Sequence, residues 1–100
     1  RVRKTPAQIA GTFPQSYEAH VNAWLKSHLK DPYSVQDLSI SSPVQVKCWG
    51  GILRGQIDAW RSTVTYNAKN SFGAYTGVET HYFWFQHGSL KLVNASKDFC

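Results

Sequence analysis

The sequence predicts a single α+β domain, an N-terminal helix packed on an antiparallel meander of four or so strands. Three observations predict it. One apolar stripe at helical spacing occupies the first third of the chain, and period-two alternation with turn signals follows. At 100 residues the chain suits one core and no second lobe. Helix first and strands afterwards is the order of an α+β fold.

Residues 1–11 lack periodicity, carry Arg1, Arg3 and Lys4, and end in Gly11. They read as a basic tail, leaving 12–100 as the domain. The helix is expected from about Thr12–Ser16 to His28–Leu29. Thr12 and Gln15 fit a capping box, and Pro14 suits a first turn. Tyr17, Val21, Trp24, Leu25 and His28 form the stripe. Glu18 near the start and Lys26 and Lys30 near the end agree with the helix dipole. Asp31-Pro32 stops the helix, because the residue before proline avoids helical geometry.

Val35 to Ser41 alternates weakly through Leu38 and Ile40, and Ser41-Ser42-Pro43 breaks it. Val44, Val46 and Cys48 then alternate with Gln45, Lys47 and Trp49 as a short strand. Gly50-Gly51 is a turn, and Ile52 to Asp58 fits either a hairpin extension or a loop. Ala59 to Ala68 is the clearest strand, with Trp60, Ser62, Val64 and Tyr66 on one face. Lys69 to Gly77 is rich in turn residues. Val78 to His87 is aromatic on both faces, Tyr82 and Trp84 against Phe83 and Phe85, so both faces should be covered. Gly88-Ser89 turns into a last strand, Leu90 to Val93.

Hydrophobic residues are 42% and charged residues 17%, the balance of a globular chain. The net charge of +5 favours anionic partners, although solubility alone also accounts for it. The absence of any Met suggests a processed chain, and neither a signal peptide nor an apolar run long enough to span a bilayer is visible. Cys48 and Cys100 suit one disulfide in an oxidising compartment, as against two unrelated thiols. Such a bridge would close a loop of about 50 residues, worth about 4 kcal/mol in the chain-entropy model.

Chemistry is sparse. His20 and His28 lie about 12 Å apart along a helix. His81 and His87 lie roughly 20 Å apart on a strand. Neither pair chelates a metal unaided, and no Cys/His cluster has zinc spacing. No nucleophile elbow, phosphate loop or paired-carboxylate pattern occurs. Glu79 and His81 could form an acid/base pair, but an exposed strand often carries both types. Asn94-Ala95-Ser96 has the form of an N-glycosylation acceptor. Trp49, Trp60, Phe83 and Phe85 among Lys47, Arg54, Arg61 and Lys91 suggest a single-strand binder, but no RNP or OB-fold pattern is present. The expectation is a non-enzyme without cofactor, metal or nucleic acid.

The loop from Asn67 to Gly77 is the candidate site. Asn67, Lys69, Asn70, Phe72, Gly73 and Tyr75 combine polar groups and aromatic anchors on a connection longer than a tight hairpin needs. The same residues also suit a turn that satisfies its own backbone, with Phe72 and Tyr75 folded over the end of the sheet.

Two segments carry a resemblance. Leu29-Lys30-Asp31-Pro32-Tyr33-Ser34 and Asn67-Ala68-Lys69-Asn70-Ser71-Phe72-Gly73-Ala74-Tyr75-Thr76-Gly77 resemble a group of small exported proteins and lipoproteins of Gram-negative bacteria. The likeness spans about residues 16–94, but only these motifs are specific, and Ala74 stands where many such proteins have Gly. It implies a periplasmic or secreted location, after removal of a signal peptide, and no reaction. A lipid anchor would need a cysteine at the mature start, and residues 1–11 have none. With the Asn67–Gly77 loop as the site, the expected function is a periplasmic or cell-surface binding domain, a monomer or weak dimer. It would engage an envelope protein or an anionic wall or lipid component, with peripheral membrane association compatible with its charge. A secreted inhibitor or effector acting on another enzyme is the alternative.

Overall fold

The computed structural model describes residues 11–53 and 55–98. Among these residues one helix, α1 (Tyr17–His28), is followed by a 3₁₀ turn (Pro32–Ser34) and five strands. The strands are β1 (Gln36–Ile40), β2 (Val44–Trp49), β3 (Gln56–Asn67), β4 (Glu79–Gln86) and β5 (Ser89–Asn94). All pairings are antiparallel. The fold is therefore α+β, as the sequence predicts.

The sheet has five strands where four or so are expected, for a local reason. β1 and β2 both pair with β3, β1 along its second half and β2 along its first. They form one long edge strand, interrupted once. Between the pairs Ile40–Val64 and Val44–Arg61 lie residues 41–43 on one side and only 62–63 on the other. The extra residue is a bulge. Pro43 has no N–H to give to a ladder. Ser41 bridges the interruption: its N–H donates to the Thr63 carbonyl at 2.9 Å, and its Oγ accepts from the Thr63 N–H at 2.7 Å. Counted this way the sheet is a four-rung meander, (β1+β2)-β3-β4-β5.

The helix starts later than expected. Ser16 is its N-cap, without a side-chain cap bond, so the Thr12–Gln15 capping box does not form. Tertiary packing overrides it: Phe13 sets its ring edge-on to Trp60 and Tyr17, and Pro14 is fully buried. Gly11, at the end of the expected tail, docks as well. Its carbonyl accepts from Trp60 Nε1 at 3.2 Å, and a Cβ there would lie 2.5 Å from the His87 backbone. Residues 1–10 lie outside the described residues.

The core sits between α1 and one face of the sheet. Val21 and Leu25 from α1 meet Val64, Tyr66, Phe83 and Phe85, with Trp24 and Tyr17 flanking them. His28, the last residue of the expected stripe, is exposed and stacks on Trp24 at 4.5 Å instead. On the opposite face Cys48, Ala59 and Trp84 form a smaller buried layer. Thus β4 is covered on both sides, which accounts for its unbroken aromatic run.

Among the described residues no helix covers that second face. After β5 the chain turns back over it: the Arg61 guanidinium, 5.8 Å from the Trp84 ring, donates to the Lys97 carbonyl at 3.3 Å. The Asp98 carbonyl then accepts from the Trp49 N–H at 2.8 Å. Residues 95–98 thus run from the β5 edge to β2 as a strap. On the other face of β3, the side of Trp60, Asp58 is buried, its charge met by Lys47 Nζ at 3.0 Å. Cys48 is buried in β2, and its expected partner Cys100 lies outside the described residues.

Candidate functional site

The end of β3 delivers Asn67 into the loop that the sequence marks out. Lys69 and Tyr75 pair across its neck as an isolated bridge. Asn70 organises what lies between. Its Oδ1 accepts from the N–H groups of Phe72 at 2.9 Å and Ala74 at 3.2 Å, its own N–H donates to the Ala74 carbonyl, and its carbonyl accepts from Gly73. An Asn side chain suits this because it can stand in for a turn's backbone. Gly73 has φ +78°, the left-handed region where glycine is unstrained. The closed turn leaves Phe72 93% exposed at its tip.

The two aromatics of the loop play different parts. Tyr75, 41% exposed, donates its hydroxyl to the Ser34 carbonyl at 2.7 Å. Ser34 Oγ in turn accepts from the Lys69 N–H at 2.8 Å. The 3₁₀ turn is thereby fastened to both sides of the loop neck, so the segments 29–34 and 67–77 meet in space. Lys69 Nζ lies 5.7 Å from the centre of the Tyr75 ring, in cation–π range. Tyr75 is a strut, Lys69 is held near it, and Phe72 alone projects freely. Asn67 is half-buried, and its Oδ1 is buried with no hydrogen-bond partner among the described residues.

Between the end of α1 and the loop lies a small cleft of about 190 Å³, lined by His28, Lys30, Lys69, Thr76 and Glu79 with Tyr66 at its floor. Tyr66 donates its hydroxyl to Glu79 Oε2 at 3.0 Å, and His81 Nδ1 is 3.4 Å away. Burial, reinforced by the bond and the negative charge of Glu79, pushes the Tyr66 phenol up to about 12. Glu79 and His81 are thus drawn together as the sequence allows, around a phenol that stays neutral at ordinary pH. That favours a packed polar cluster over a proton-transfer device.

Each of the four histidines lies against a packed neighbour. His20 lies against Phe85, His28 against Trp24, His81 between Trp24 and Tyr66, and His87 beside Gly11. Among the described residues no three His, Cys, Asp or Glu side chains gather as metal ligands.

Sequence reasoning passed over one surface feature. Ile52 and Leu53, in the segment left open between loop and strand, are 94% and 99% exposed at the tip of the β2–β3 hairpin. The signal was present as two adjacent aliphatics between Gly51 and Gly55, but without the turn it could equally have begun a strand.

Comparison of the chain with protein-family models, with curated proteins and with solved structures yields no match.

Proposed function

We propose that this chain is a non-enzymatic binding domain of the bacterial envelope, periplasmic or secreted, that engages a protein or an anionic envelope component through the 67–77 loop. The observation that carries the reading is Phe72, a large ring 93% exposed on a turn braced from below by Asn70, Tyr75 and Ser34. A preorganised aromatic tip loses little freedom on binding, which is what an anchor residue needs. Lys69 and Lys30, beside the cleft, supply charge for an acidic partner surface. The compartment part of the proposal rests on the resemblance and on a Cys48–Cys100 disulfide. Supporting that bridge, the Asp98 carbonyl bonds the Trp49 N–H, so a residue two before Cys100 lies beside the neighbour of Cys48.

The test is photocrosslinking from a benzoylphenylalanine placed at position 72, in cells and in envelope extracts. A discrete adduct that Phe72→Ala abolishes in a competition pull-down, with unchanged thermal stability, supports the loop. Equal capture by wild type and Phe72→Ala would sink it.

A further inference from the structure

The hairpin at the other end of β3 presents a second anomaly, independent of the loop. Gly50 donates its N–H to the Gly55 carbonyl, and Gly55 donates to the Gly51 carbonyl, both at 2.8 Å. Gly51 and Gly55 have φ of +99° and +65°. This closed turn holds Ile52 and Leu53 outward, clear of both core layers. One step back along β2, Trp49 is 39% exposed.

We propose that this tip inserts into the interface of an anionic lipid bilayer, its two aliphatic side chains reaching the acyl boundary. The shape favours lipid over protein. A convex tip of two aliphatic side chains falls far short of the roughly 1,000 Å² that a specific protein interface buries. A fluid apolar phase needs no complementary surface, and each aliphatic side chain gains by leaving water. Trp49 stands where an indole belongs in such a pose, behind the apolar tip at headgroup depth. The net charge of +5 supplies long-range attraction to anionic lipid, and Arg54 follows the tip in sequence. Lys47 adds little, because it is paired with Asp58. β3 separates the tip from the 67–77 loop by about 36 Å at the usual strand rise. A bound molecule would therefore hold Phe72 away from the membrane.

The experiment is co-sedimentation with phosphatidylglycerol/phosphatidylcholine vesicles, joined to quenching of tryptophan fluorescence by brominated lipid. Wild type is expected to partition onto the anionic vesicles, more weakly onto phosphatidylcholine alone, and to be quenched. The double variant Ile52→Ser/Leu53→Ser should partition about tenfold or more weakly while keeping its circular dichroism spectrum, since neither side chain packs in the core. Trp49→Phe should still sediment but lose most of the quenching, because Trp84 is buried and Trp24 and Trp60 are half-buried. Failure of wild type to bind, unchanged partitioning of the double variant, or quenching undiminished in Trp49→Phe overturns the proposal. So does a tip required only for retaining a soluble protein. Phe72→Ala should sediment like wild type, so loop and tip fail or survive separately.

Discussion

Asn70 and Phe72 sit two residues apart, and mutation should separate them by its cost in stability. Phe72 touches little, so Phe72→Ala should change folding stability by no more than about 0.5 kcal/mol while abolishing partner capture. Asn70→Ala removes one acceptor serving two backbone donors, and should cost about 1 kcal/mol in urea unfolding. It should also weaken capture nearly as much as Phe72→Ala, because the ring would lose its platform. Tyr66 gives a pH test. Its phenol ionises near 10 unfolded and at about 12 folded, so the fold favours the protonated form. This contribution is complete below pH 10 and is lost as pH rises toward 12. Urea unfolding between pH 9 and 11 should therefore show wild type losing stability more steeply than Tyr66→Phe. Parallel curves would mean that the phenol is not held as described.

At the scale of elements, α1 depends on two side chains. Leu25→Ala should cost about 2–5 kcal/mol by chemical denaturation, since Leu25 fills the gap between α1 and the sheet. Much of this architecture was readable beforehand. The 3.6-residue spacing of Val21 and Leu25, the alternation of Ser62, Val64 and Tyr66, and the two-sided aromatics of β4 each declare a buried face. What escaped reading depends on distant partners. β3 begins at Gln56 because Ile57 and Asp58 pair across to Cys48 and Lys47, and Asp58 is tolerable inside only with Lys47 on its carboxylate. The Thr12–Gln15 capping pattern cannot reveal that Phe13 packs on Trp60 and that Pro14 is buried, which leaves Ser16 as the N-cap. Likewise the candidate loop was visible by composition, but its bracing by Ser34, 35 residues from Lys69, was not. Tyr75 could therefore not be told from Phe72.

The whole molecule closes around the strap. A Cys48–Cys100 bridge predicts that intact mass rises by about 2 Da on reduction, with a loss of up to about 4 kcal/mol of stability. An unchanged mass would remove the oxidising-compartment argument. The strap itself carries a consequence for how the chain acquires its shape. The helix-side core draws on residues up to Val93, but the reverse side of Trp84 is sealed only once Lys97 and Asp98 reach Arg61 and Trp49. Those contacts join residues 36 and 49 positions apart, the kind of long-range closure that slows folding. A chain emerging N-terminus first would stay open along its back until residues 97–98 arrived, and a copy cut after Asn94 should bind a hydrophobic dye that the full chain excludes.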